Sequence, residues 1–312
     1  MKFRILSAAL LIIASRPTAT AAPPSTDALA QRAHEVLTKA LATESAFVKV
    51  HAAEALIALG KAEEPRRVFR AELPAANGVR PYRIGVWRVL AASSASPSER
   101  AEWIARTEAV FLDSTAMDRV HAIETLGKLG HAVAGPVRVA AEAMAKDSGA
   151  DAVFARWALH LAGDSTALPA LVATLDSADP IARLRAAYVL RGLKIDDANS
   201  RAAVARTASR EPPSAIGYTI ILGAAVTLNA DPKQTNAWVA TLEQILADGN
   251  AGARYDACQT LMQRYTVADL PKLVPLLDHP EGDPRIGAAW AILHVTGRAK
   301  MSMPSNSGTK AR

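Results

Sequence analysis

The sequence predicts an all-α protein of about eight stacked helical hairpins, a repeat architecture rather than a single-core domain. Three observations carry that expectation. Hydrophobic residues form 50% of the 312-residue chain but aromatics only 5%; Ala and Leu supply the apolar mass, a mix that favours closely packed helices over sheets. A short apolar motif recurs along the chain at a nearly constant interval. Helix start and stop signals punctuate the sequence between its copies.

The recurrence is clearest in VHAAEALIALG (residues 50–60) and VHAIETLGKLG (120–130), which match at seven of eleven positions. Relaxed to an aliphatic or aromatic residue followed six positions later by Leu or Ile, the motif also appears as IGVWRVL at 84, VFARWAL at 153, LRAAYVL at 184, IGYTIIL at 216, YDACQTL at 255 and IGAAWAI at 286. The spacings run from 31 to 39 residues, the range of two-helix solenoid units that cannot bury their apolar faces alone.

A first helix precedes each motif. TALPALVATLDSADP (166–180) and ADLPKLVPLLDHPEGDP (268–284) share a Leu-Pro-x-Leu-Val core and end in Asp-Pro. Proline is tolerated in a first helical turn, where its missing N–H has no partner to lose, so Pro169 and Pro271 are expected near helix starts. Ser96-Pro97-Ser98-Glu99 reads as a capping box. Gly60 and Gly130 suit the left-handed residue that closes a helix. Each unit is therefore helix, short turn, helix.

These units resemble HEAT repeats, in particular the short variety of phycocyanobilin-lyase-type proteins. The text that carries the resemblance is Asp179-Pro180-Ile181-Ala182-Arg183-Leu184-Arg185-Ala186-Ala187 and Asp283-Pro284-Arg285-Ile286-Gly287-Ala288-Ala289. It extends over roughly residues 27–297, although units two and six lack the Asp-Pro and Ala-Ala signatures. The resemblance implies an α-solenoid wound as a right-handed superhelix, with the second helices lining its concave side.

The ends of the chain read differently from its body. Lys2 and Arg4, an apolar run from Ile5 to Ala14 and Ala19-Thr20-Ala21 make residues 1–21 an expected signal peptide, cleaved after Ala21. Residues 22–297 form the repeat domain, and 298–312 a basic tail expected to be disordered. Without residues 1–21 the formal charge falls from +6 to +3, and without Arg298, Lys300, Lys310 and Arg312 it falls to −1. The body thus lacks the net positive charge that nucleic-acid binding draws on. Cys258 is the only cysteine and is expected in the core. Residues 212–230 carry no charge, but two prolines and several polar residues interrupt them, and a helix buried between neighbours is expected in place of a membrane span.

Counting the opening aliphatic of each second helix as zero, positions 1 and 4 point away from the stripe that packs on the partner helix. They hold His51 and Glu54, Gly85 and Arg88, His121 and Glu124, Phe154 and Trp157, Arg185 and Tyr188, Gly217 and Ile220, Asp256 and Gln259, and Gly287 and Trp290. Each His–Glu pair resembles half a zinc site. With one unit between them and helices spaced ~8–10 Å, the two pairs are expected ~20 Å apart, each a weak intrahelical bond on a solvated face. Phe154, Trp157, Arg185 and Tyr188 combine the residue types that concentrate interface energy. With His121, Glu124 and Trp290 they form the candidate partner-binding set. Catalytic, cofactor-binding and metal residues are not assigned, because the sequence carries no His-Glu-x-x-His, Gly-x-Ser-x-Gly or phosphate-cradling loop.

The expected function is an exported, non-enzymatic scaffold, periplasmic or secreted. It is read as a curved rod ~70–80 Å long that holds a protein or peptide partner on its concave face. A cofactor- or chromophore-handling lyase-like protein or chaperone is the first alternative and rests on fold analogy alone. A DNA-binding HEAT-like protein is the second, and the charge of the body opposes it.

Overall fold

The computed structural model describes residues 25–302, without the side chains of Lys300 and Ser302. The expected signal segment and the end of the tail lie outside the described residues. Helices alternate between two layers. The outer layer holds α1 (Thr26–Thr43), α3 (Glu63–Ala76), α5 (Pro97–Leu112), α7 (Gly135–Ala145), α9 (Ala167–Thr174), α11 (Ala198–Arg210), α13 (Thr235–Asp248) and the 3₁₀ turns η1 (Val267–Lys272) and η2 (Val274–Asp278). The inner layer holds α2 (Ala46–Ala58), α4 (Tyr82–Ala92), α6 (Arg119–Lys128), α8 (Ala152–Leu161), α10 (Pro180–Leu193), α12 (Tyr218–Thr227), α14 (Ala251–Leu261) and α15 (Gly282–Ser302). Among the described residues there is no strand.

Local chemistry sets the helix ends. Ser25, Ser96, Asp179, Asp197 and Asn250 each accept a backbone N–H of the first turn they cap, satisfying a donor that has no helical partner. Glu99 reaches back to the N–H of Ala95, one residue before the cap. Gly60 and Gly130 adopt φ of 78° and 65° just past α2 and α6, as their place at the stop signal requires. The first half of the last unit departs from expectation. Pro271 and Pro275 stand four residues apart, and each removes a donor that an α-helix would need, so the segment folds as η1 and η2.

The aliphatic stripe of the inner helices and the apolar faces of the outer ones together form the core. Leu37, Leu56, Ile84, Phe111, Ile123, Leu171 and Leu190 are fully buried, each contributing about 1.5–3 kcal/mol of transfer free energy. Cys258 is buried in the same core. The uncharged stretch from 212 to 230 supplies α12, which packs between α10 and α14. Among the described residues no helix is long and apolar enough to cross a membrane.

The array closes on itself. The last inner helix, α15, packs on α1 and α2 just as α4 packs on α5 and α6, so the final unit treats the first as its successor. The side chains at this seam repeat a device used inside the array. Arg83 and Arg183, each one residue before the motif's opening aliphatic, clasp Asp118 and Glu211 of the following unit through two N–H bonds apiece. Arg285 occupies the equivalent place and pairs with Glu44 of the first unit. Arg32 to Asp278 at 2.5 Å and His51 to Asp283 at 2.9 Å add to the seam. Gly282 lets the chains meet, since a Cβ there would lie 2.4 Å from Val48.

Closure corrects two expectations. The row at positions 1 and 4 belongs to a closed array, in which His51 of α2 reaches Tyr255 of α14 and Asp283 of α15, and not to a groove along an open rod. Inner helices of the first and third units also meet at one point, where Phe47 of α2 stacks on His121 of α6 with ring centroids 6.1 Å apart, although a helix spacing of ~8–10 Å with one unit between them implied no contact. At the other end, α15 continues beyond the expected domain limit at 297 as far as Ser302. Arg298 anchors it by donating to the carbonyls of Gln263 and Tyr265.

Candidate functional site

Inside the ring the inner helices present charge, and most of it is paired between units. Arg88 on α4 donates to Glu54 on α2 at 2.5 Å and to the Thr125 hydroxyl on α6 at 3.3 Å, tying three consecutive inner helices. Glu124 accepts from Lys128 at 3.1 Å, one turn along α6. Burial acts to raise the Glu54 carboxyl, but Arg88, Lys128 and His51 outweigh it and hold the group below the usual range. Glu124 follows the same balance, with Lys128 and Arg88 overriding burial. Asp256 goes the other way: burial dominates its neighbours and pushes its carboxyl up.

The two His–Glu pairs therefore do not behave as intrahelical units. His51 turns to Asp283 and stacks on Tyr255 at 4.7 Å, while Glu54 turns to Arg88. His121 lies on Phe47, and burial lowers its basicity. Glu54 finds its cation in the next unit and Glu124 in Lys128 one turn further along its own helix, and neither bonds the histidine of its pair. Among the described residues no three His, Cys, Asp or Glu side chains converge on a metal position.

The aromatic set does assemble. Phe154 and Trp157 on α8 meet the half-buried Tyr188 of α10 edge-on, with centroids 6.5 and 6.2 Å apart. Arg185 lies over Phe154 at 4.9 Å and pairs with Asp151. Phe154 and Trp157 are 5% and 6% exposed, so their rings also pack the core. Trp290 is half-buried on α15, which packs on α1, α2 and α14 and not on α8 or α10.

Toward the C-terminal ends of the inner helices the interior opens into a cavity of ≈ 340 Å³ lined by Lys128, Trp157, Tyr188, Arg191, Gln259 and Gln263, among others. Lys128 and Arg191 both lie over the Tyr188 ring, at 5.5 and 5.8 Å from its centroid. Burial and Arg88 disfavour the Lys128 charge, yet Tyr188, Glu124 and Glu54 overcome them and raise its basicity above the ordinary lysine range. Positions 1 and 4 flag Trp157, Tyr188 and Gln259 but miss Lys128, Arg191 and Gln263, which fall at positions 7 and 8. The signal available was the cation in the last turn of α6 and of α10, where helix dipoles favour positive charge. No family model matches the chain, and comparison with curated proteins finds no match.

Proposed function

We propose that this protein is an exported, non-enzymatic binding protein, built of HEAT-like repeats closed into a ring, that engages a peptide segment of a partner at the axial cavity. The observation that supports it most is the convergence of Lys128, Trp157, Tyr188, Arg191, Gln259 and Gln263, drawn from four helices and the turn after α14, on one depression. Aromatic and arginine side chains around a cavity are the residue types that anchor interfaces. A volume of ≈ 340 Å³ lies at the small end of ligand sites. It accommodates the last few residues of an extended chain rather than a folded surface. Export is read from the signal-like residues 1–21.

The test is photocrosslinking in a cell-envelope extract. A photoreactive residue in place of Gln263, which is exposed at the cavity, is expected to capture a discrete, saturable partner. The same residue in place of Arg106, on the outer helix α5, is expected to capture none. Equal labelling from both positions, or none from 263, contradicts the proposal.

A further inference from the structure

We propose that the axial cavity captures a free carboxylate, that of a peptide's last residue, on Arg191 and Lys128, with the adjoining side chain against Trp157 and Tyr188. This inference rests on the reading of the cavity as the partner site and specifies its chemistry.

Arg191 is the exception among the arginines of the inner helices, because each of the others bonds a carboxylate or carbonyls of the chain: Arg119, Arg156, Arg254 and Arg298 donate to backbone carbonyls. Arg83, Arg88, Arg183, Arg185 and Arg285 each bind a carboxylate of the chain. The Arg191 guanidinium makes no hydrogen bond to any described residue, and its Nη1 is enclosed without a partner. It rests over the Tyr188 ring, and Asp256 is within electrostatic reach without bonding to it. An enclosed donor without an acceptor is unfavourable. The attraction of cations to helix C-termini explains a positive charge at this end of α10. It does not explain a guanidinium that leaves the helix carbonyls untouched.

Two glycines inside inner helices make room for members of this cavity. A Cβ on Gly127 of α6 would lie 2.6 Å from the Trp157 ring. A Cβ on Gly223 of α12 would lie 3.1 Å from Arg191 Nη1 and 2.5 Å from Thr260 Oγ1. Glycine in a helix interior is less favourable than alanine; at Gly127 the space goes to Trp157, which lines the cavity, and at Gly223 it goes first to Thr260, outside the lining, and then to Arg191. Lys128 brings a second cation to the other contact on the Tyr188 ring, bonded to Glu124 alone. Lys194 stands at the rim, and Gln259 and Gln263 offer amide donors. The planar fork of an arginine matches a carboxylate with two parallel N–H bonds, and a terminal carboxylate beside an apolar side chain is a recurring mode of peptide capture.

The experiment is calorimetric titration of the mature chain with N-acetyl-phenylalanine, N-acetyl-leucine and N-acetyl-alanine, each as free acid and as amide, and with inorganic phosphate. The free acid of an aromatic or aliphatic residue is expected to bind saturably and its amide at least tenfold more weakly. Arg191→Met and Lys128→Met are each expected to weaken the acid about tenfold, Arg191→Lys less than Arg191→Met, and Arg106→Met not at all. Equal binding of acid and amide, binding of phosphate alone, or no binding of any probe overturns the carboxylate assignment. Crosslinking from position 263 that survives Arg191→Met and Lys128→Met leaves the partner site standing while removing the carboxylate. Loss of the crosslink with acid-over-amide discrimination intact removes the protein partner instead.

Discussion

Arg88→Leu tests how strongly the interior charges hold neighbouring units together. The Arg88 side chain is 6% accessible and that of Glu54 26%, and the substitution strands Glu54 without its 2.5 Å partner. Removing one partner of a fully buried pair typically destabilises by about 3–5 kcal/mol. Glu54 retains some solvent, so ~2–3 kcal/mol is the expected loss. With a urea dependence of ~3 kcal/mol/M, the midpoint followed by tryptophan fluorescence falls by ~0.7–1 M. The pH dependence has a definite sign. In the wild type the folded Glu54 carboxyl is depressed, so its contribution is present above the unfolded carboxylate value and is lost as pH falls through the lower folded one. Without Arg88 the largest opposing charge is gone and burial raises the carboxyl. The variant then takes up a proton on folding as pH falls from 7 toward 5, and its deficit against wild type narrows. Glu54→Leu with Arg88→Leu is expected to recover most of the loss. A midpoint shift below ~0.2 M, or a deficit that widens on acidification, refutes the reasoning.

Three further outcomes follow from packing. Gly127→Ala places its Cβ 2.6 Å from the Trp157 ring, so thermal unfolding is expected to show a loss of about 1–3 kcal/mol despite better helix propensity; Gly127→Ala with Trp157→Leu is expected to regain part of it. Gly60→Ala meets no neighbour but keeps φ at +78°, so its loss is expected at about 1–2 kcal/mol from backbone strain alone. Cys258 is buried, and burial raises its thiol far above the usual range. An aromatic disulfide reagent is expected to titrate it only after denaturation, and stoichiometric labelling of the native protein contradicts this placement.

The hairpin units were legible because they rest on local chemistry: the aliphatic stripe, Asp179 before Pro180, Ser96 before Pro97, and the glycines after α2 and α6. The failure of an α-helix at 267–278 was also readable in principle, from two prolines four residues apart. Ring closure was not legible, because curvature accumulates from small rotations at every interface that no single residue encodes. The Arg before the motif gives no reliable trace of it: in units two, five and eight it reaches into the following unit, but Arg119 and Arg254 in units three and seven bond carbonyls of their own unit's first helix. The candidate site was legible in part. Phe154, Trp157, Arg185 and Tyr188 come together as their spacing implied, but Trp290 does not join them. Lys128 and Arg191 sit at the ends of helices, where the choice of face depends on the curvature that the sequence left open.

The closed ring depends on the first and last units touching. Val48→Cys with Gly282→Cys tests this directly, since a Cβ at 282 lies 2.4 Å from a Val48 methyl and the two Cβ atoms are then within about 4 Å, suitable for a disulfide. Mild oxidation of the dilute purified protein is expected to give a monomeric crosslinked species, with the 48 and 282 peptides joined in the mass spectrum. A protein that stays unlinked, or links only between molecules, contradicts the closed ring and places these residues at opposite ends of an open rod.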